Sequence, residues 1–301
     1  MDKALEHLLA SVVQMRREEE ETQKQEDVIK VSDTVSVAAS AYEAVRNTLE
    51  YDEEHLLRRN AIRRILKRRL GEGSPLELST KLLQELIWAR YLPNGRVPTR
   101  MIGKVADVLE KYVYLFGTLE PDSQEGQRVY AWLLDVLSVE IEYVLGPACI
   151  DEALASYAYQ EIKKRVDWQT RVIREEDRDL QLYIALHRAV LKSNLATLRY
   201  RVLTLFYPLW RKAVLGDAVV KEIAMNLVKV VDSVEAQINH PLQDAVYRFV
   251  RRHAVVFHLL ADIAKDSPEA CAKSLTLGNT AAIDAAIGKA AQERYDDFRG
   301  K

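Results

Sequence analysis

The sequence predicts an all-α fold of about ten to twelve helices, arranged as an irregular bundle or a degenerate helical-repeat array with long N-terminal helices. Three observations carry that expectation. Glycine and proline number only 11 and 8 among 301 residues, and neither occurs in 1–70 or in 148–207, so long stretches lack the residues that most readily end a helix. Apolar residues recur at spacings of three and four. Where Gly and Pro do occur, they stand beside Ser or Asp in the patterns that stop one helix and start the next. Hydrophobic residues at 48% and charged residues at 29%, with a formal net charge of −2, belong to a chain that folds around a core.

Along the chain, Leu5, Leu8, Leu9, Val12 and Val13 put one apolar stripe on a first helix, and the polar run "RREEEETQKQED" after it has none. From Val28, the residues Val28, Val31, Val35, Ala38, Tyr42, Val45 and Leu49 alternate spacings of three and four, the pattern of a heptad seam. "VSDTVSV" is a rival there, because its alternation and β-branched residues suit a short strand. An exposed stripe of that length would be aggregation-prone, so the seam is expected to be buried within the chain or against a second copy. Homo-oligomerisation through Val28, Val31, Val35, Tyr42, Val45 and Leu49 is the corresponding expectation.

The stretch "LLRRNAIRRILKRRL", residues 56–70, carries seven Arg or Lys residues and no acid. On a helical wheel Ala61, Ile62, Ile65, Leu66 and Leu70 share one arc and Arg63, Arg64, Lys67 and Arg68 the opposite arc, with Arg59 at the border. Gly71 then suits a left-handed helix end, and "SPLE" places Ser74 at N-cap, Pro75 at N1 and Glu77 at N3 of a new helix. "YLPNGRVPTR", with Pro93, Asn94, Gly95 and Pro98, predicts a loop. Pro208 predicts a kink or helix end near Leu205 to Tyr207. Gly216 and Asp217 predict a stop and a cap, Pro241 a first turn, and Ser267 with Pro268 another Ser-Pro start. These signals divide the chain into an N-terminal helical arm over 1–72, with the seam and the basic helix, and a compact all-helical domain over 73–301. No fixed period matches the tetratricopeptide or ankyrin repeats.

Cys149 and Cys271 stand far apart without CxxC spacing, which favours neither a disulfide framework nor a zinc site and fits a reducing compartment. No apolar run approaches the roughly 20 residues a membrane-spanning helix needs, and the apolar start "MDKALEHLLASVVQM" is broken by Glu6 and His7. A cytoplasmic, soluble protein is expected. No HExxH, GxSxG, P-loop or GxGxxG pattern occurs, and none of the six histidines has Glu three residues before it. His240/Asp244 and His258/Asp262 have the spacing of local surface pairs, and His253 and His258, five apart, fall on different faces. The sequence therefore assigns no catalytic residue, no metal ligand and no cofactor.

What it offers is surfaces for partners. The basic arc either pairs with acids of the chain itself, Glu18 to Glu21 or Asp52 to Glu54, or docks an acidic partner. A pI near 6.4 argues against a dedicated nucleic-acid domain, and an apolar arc without aromatics argues against an anionic membrane surface. A protein partner is least contradicted, with nucleic acid and an anionic membrane surface kept as the other candidates. The sequence thus predicts a helical adaptor or scaffold that binds an acidic macromolecule through Arg59, Arg63, Arg64, Lys67 and Arg68. A nucleic-acid-associated protein using the same face is the alternative, and a helical enzyme with no recognisable motif the third reading. A second candidate, "LRYRVLTLFYPLWRK", interleaves Arg199, Arg201, Arg211 and Lys212 with Tyr200, Phe206, Tyr207 and Trp210. The helical spacing of those aromatics predicts core packing instead.

Overall fold

The computed structural model describes residues 10, 27–32, 54–146, 149–168, 173–266, 288 and 292. In chain order its α-helices are α1 (Glu54–Arg69), α2 (Pro75–Trp88), α3 (Arg100–Phe116), α4 (Gln124–Leu145), α5 (Cys149–Lys163) and α6 (Glu175–Ala189). There follow α7 (Leu195–Phe206), α8 (Ala218–Met225), α9 (Leu227–Ile238), α10 (Gln243–Arg251) and α11 (Ala254–Asp266), with a 3-10 turn at Trp210–Lys212. The fold is all-α. Among the described residues there is no strand, and one isolated β-bridge pairs Val28 with Pro98.

These residues fall into two compact units, one holding 27–32, 54–146 and 195–236, the other 149–168, 173–194 and 237–266. In the first, α4 packs on α1, α3 and α7, and α2 packs on both α1 and α3. Helix α4 is apolar on nearly every side along its middle, where Val129, Leu133, Val136, Leu137 and Ile141 are all buried, as an inner helix of a bundle must be. In the second unit, α6 packs on α5 and α10, and α11 packs on α5 and α10, around Leu154, Ile162, Leu182, Leu186, Val250 and Phe257.

The helix boundaries follow local chemistry. Ser74 Oγ accepts the Glu77 N–H at 3.3 Å and Glu77 Oε2 accepts the Ser74 N–H at 3.0 Å, a complete capping box with Pro75 at N1. Gly71, at φ 97°, takes the left-handed turn that closes α1. Helix α7 ends at Phe206, where Pro208 disfavours helical backbone at Tyr207. Asp217 stands at the N-cap of α8, but its Oδ2 accepts the Val214 N–H at 2.9 Å and so closes the preceding turn, not the helix.

The seam expected from Val28 begins differently. Residues 27–32 are extended and held along the predicted loop: Ile29 N–H donates to Val97 O at 2.8 Å and Gly95 N–H to Ile29 O at 3.2 Å. Asn94 accepts the Val31 N–H at 3.1 Å and donates to Val31 O at 3.0 Å. Val28 and Val31 are thus not on a helix, because the Asn94 amide and a β-branched segment suit extended pairing better than a helical turn. Val35, Tyr42, Val45 and Leu49 lie outside the described residues, as do the Leu5 to Val13 stripe and the Ser267–Pro268 start. No described helix is long and apolar enough to cross a membrane.

Candidate interaction surface

Helix α1 has the two faces its sequence implies. Ala61, Ile62, Ile65 and Leu66 are buried, and Ile62 and Leu66 are fully enclosed. The basic arc is divided. Arg59 is only 5% exposed and donates to Thr197 Oγ1 of α7 at 2.5 Å, so it faces inward. Arg63 is ion-paired with Asp135 of α4, and Arg68 with Glu85 of α2. Glu85 also takes Arg69, whose guanidinium pKa is raised by that hydrogen bond and then by the one to Glu72. Arg58 holds Glu142 through Nε and Nη2 at 2.9 and 2.6 Å. Arg64 is half-buried and Lys67 exposed. Of the acids considered from the sequence, Glu18 to Glu21 and the side chains of Asp52 to Glu54 lie outside the described residues.

The second stretch splits between core and surface. Tyr200 and Trp210 are buried, as their spacing predicts. Tyr143 of α4 and Tyr200 stack at 5.4 Å, and the Arg211 guanidinium lies 5.4 Å from the first ring and 5.6 Å from the second. Arg199 of α7 pairs with Asp135 at 2.6 Å and with Glu235 at 2.5 Å. These cations therefore brace α4, α7 and α9 inside the unit.

Trp210 belongs to a buried polar cluster that no local motif announced. Lys111 Nζ donates to Glu140 Oε1 at 2.5 Å and to Trp210 O at 2.9 Å, and lies 4.4 Å from the indole ring. Glu140 Oε2 accepts Tyr112 OH at 2.7 Å and Trp210 Nε1 at 2.9 Å. Burial, then the Glu140 charge, pushes the Tyr112 phenol well above its ordinary value. With both carboxylate oxygens engaged and its members enclosed, the cluster fixes the Trp210 turn.

On the other side of that anchor the turn is exposed. Twelve large apolar side chains are exposed among the described residues, and five of them, Leu205, Phe206, Leu209, Val214 and Leu215, lie within one short stretch. Arg211 and Lys212 are exposed between them. Single exposed apolar residues are ordinary, and their concentration in one stretch makes it the candidate contact surface. Sequence reasoning missed these residues because helical spacing assigned Phe206 to the core along with Trp210. The available signal was Pro208: past it the helical period no longer applies, so Leu209, Val214 and Leu215 have no claim on the stripe of α7.

Among the described residues no group of three or more His, Cys, Asp or Glu is placed to hold a metal ion. No protein-family model, no curated protein and no solved structure matches this chain.

Proposed function

We propose that the protein is a helical interaction or scaffold protein, working in a reducing, cytoplasmic setting, whose contact with an acidic macromolecular partner is made by the exposed turn around Leu209. The single observation behind this reading is the concentration of exposed Leu205, Phe206, Leu209, Val214 and Leu215 around exposed Arg211 and Lys212. The face of α1 contributes less than its composition implies. Arg59 points inward, Arg63 and Arg68 are held by Asp135 and Glu85, and Lys67 is left as a basic margin. A nucleic-acid reading draws on that same face and is weakened by the same pairs, since a cation already neutralised releases fewer counterions on binding phosphate.

The test uses extract of the cells that express the protein, separated into membranes and soluble macromolecules and incubated with the immobilised full chain. Retention of one fraction by the wild type and its loss with Leu209→Asp is the expected result, with Lys67→Glu giving a smaller effect. Equal retention by the wild type and Leu209→Asp overturns the reading.

A further inference from the structure

We infer that the turn from Leu205 to Leu215 docks on an anionic lipid surface, inserting its apolar side chains among the headgroups while Lys212 meets lipid phosphates and carboxylates. This rests on the reading of the turn as the contact surface and adds the chemistry of what it contacts.

Three features of the turn favour lipid. The first is shape and composition. Leu209 is 70% exposed, and Phe206 supplies the aromatic ring that suits the headgroup level. On α1, by contrast, the apolar arc is turned into the core, with Ile62 and Leu66 fully enclosed, so that helix has no apolar face left to insert.

The second feature is the backbone. A turn that enters the interfacial layer gains when most of its N–H groups are already bonded within the fold. Tyr207 N–H donates to Leu203 O at 2.8 Å, Trp210 N–H to Tyr207 O at 2.9 Å, Lys212 N–H to Leu209 O at 3.1 Å and Ala213 N–H to Trp210 O at 3.2 Å. Val214 N–H is taken by Asp217 Oδ2 at 2.9 Å, and Pro208, exposed beside Leu209, has no N–H at all.

The third feature is charge. The chain has no Asp or Glu between Asp179 and Asp217, so the whole of α7 and the turn is free of its own acids. Glu222 of α8 is the acid whose charge reaches Tyr207, where burial and then that charge raise the phenol pKa. The exposed side chains on the turn itself are apolar or cationic, the pairing that an anionic leaflet attracts and a neutral one does not. Behind them Trp210, fully buried and bonded to Glu140, holds the turn rigid, so insertion requires no ordering of a loose loop.

The experiment is cosedimentation of the full chain with vesicles of phosphatidylcholine alone and with about a quarter phosphatidylserine, at low and raised salt. The expected result is binding to the anionic vesicles at least about tenfold tighter than to the neutral ones, weakening as salt rises. Leu209→Asp and Lys212→Glu each lose about tenfold or more in vesicle binding while thermal unfolding stays at the wild-type midpoint. Leu76→Asp, at a side chain 57% exposed on α2 of the same unit, binds like the wild type. Equal binding to neutral and anionic vesicles, or wild-type vesicle binding by Leu209→Asp, overturns the proposal. If the vesicles are not bound but Leu209→Asp still loses material from the soluble fraction of extract, the occupant is a protein: the lipid inference falls and the contact surface stands. If Leu209→Asp changes neither, both fall.

Discussion

Lys111 Nζ lies 2.5 Å from Glu140 Oε1, and both side chains are buried among the helices of the first unit. Removing two charges from water is expensive, and the pair persists because every oxygen of Glu140 and two directions of Lys111 find partners. The two ends are not equivalent. Glu140→Leu leaves the Lys111 ammonium only the Trp210 carbonyl, and leaves the Trp210 indole N–H only the Tyr112 hydroxyl at 3.3 Å, whereas Lys111→Met leaves Glu140 with two of its three donors. We expect Glu140→Leu to cost about 3–5 kcal/mol in urea unfolding and Lys111→Met less. The reverse ranking would show that the cluster is not organised around the carboxylate.

Two helix glycines make opposite predictions from one substitution. Gly103, exposed in α3, has open space where a Cβ would go, so Gly103→Ala gains helix propensity and stabilises by about 0.5–1 kcal/mol. Gly126, buried in the first turn of α4, has the Glu120 carbonyl oxygen where a Cβ would sit, with Ser123 Oγ close behind. Gly126→Ala therefore destabilises despite the same gain in propensity. Thermal midpoints moving in the same direction for both variants would refute the Gly126 overlap.

How legible the fold was depended on how local its signals are. The capping box of Ser74 and Glu77, the stop at Gly71 and the helix end before Pro208 are set by residues within a turn of one another, and the sequence displays them whole. The buried arc of α1 is equally local, a repeat along one helix. What the sequence does not display is which acid meets which cation. Arg63 and Asp135, or Arg59 and Thr197, are brought together by packing of α1 on α4 and by the placing of α7, across 72 and 138 positions of chain. The same holds for Lys111 and Trp210, 99 positions apart, so a lysine inside an amphipathic helix reads as surface until its partners are known. The extended segment at 27–32 went the other way: its valines fit a heptad, and the loop with Asn94 that captures it lies 63 positions further on.

Alkaline pH tests the buried tyrosines. The phenols of Tyr112 and Tyr200 are both raised above the ordinary 10.0, by burial first and the Glu140 charge second. A group whose folded pKa is raised stabilises the fold fully below its unfolded pKa, and that contribution is lost as pH climbs above it. Stability should therefore fall above about pH 10. Phenolate absorbance should rise in two phases, the later one coinciding with loss of helical circular dichroism. Titration of all 14 tyrosines with the helices intact would contradict their burial.

The basic face of α1 yields the last prediction, because its cations now have different surroundings. Lys67 is exposed, so Lys67→Glu should shift stability by no more than about 0.5 kcal/mol. Arg63 meets Asp135, whose carboxylate is largely buried and also takes Arg199, so Arg63→Glu sets two carboxylates against each other beside a cation that cannot neutralise both. Its cost should be about 1 kcal/mol or more, with Arg68→Glu, at a more exposed pair, costing less. The combined reversal Arg63→Glu, Arg64→Glu, Lys67→Glu and Arg68→Glu should then lower the urea midpoint clearly, and the gap to wild type should narrow as salt is raised to about 0.5 M. Ile65→Asp, on the buried arc, should cost more than about 2 kcal/mol at any salt, since its charge enters apolar surroundings without a partner. A fourfold reversal that unfolds like the wild type would mean that the ion pairs to Asp135 and Glu85 contribute nothing, and would return the whole basic arc to partner binding.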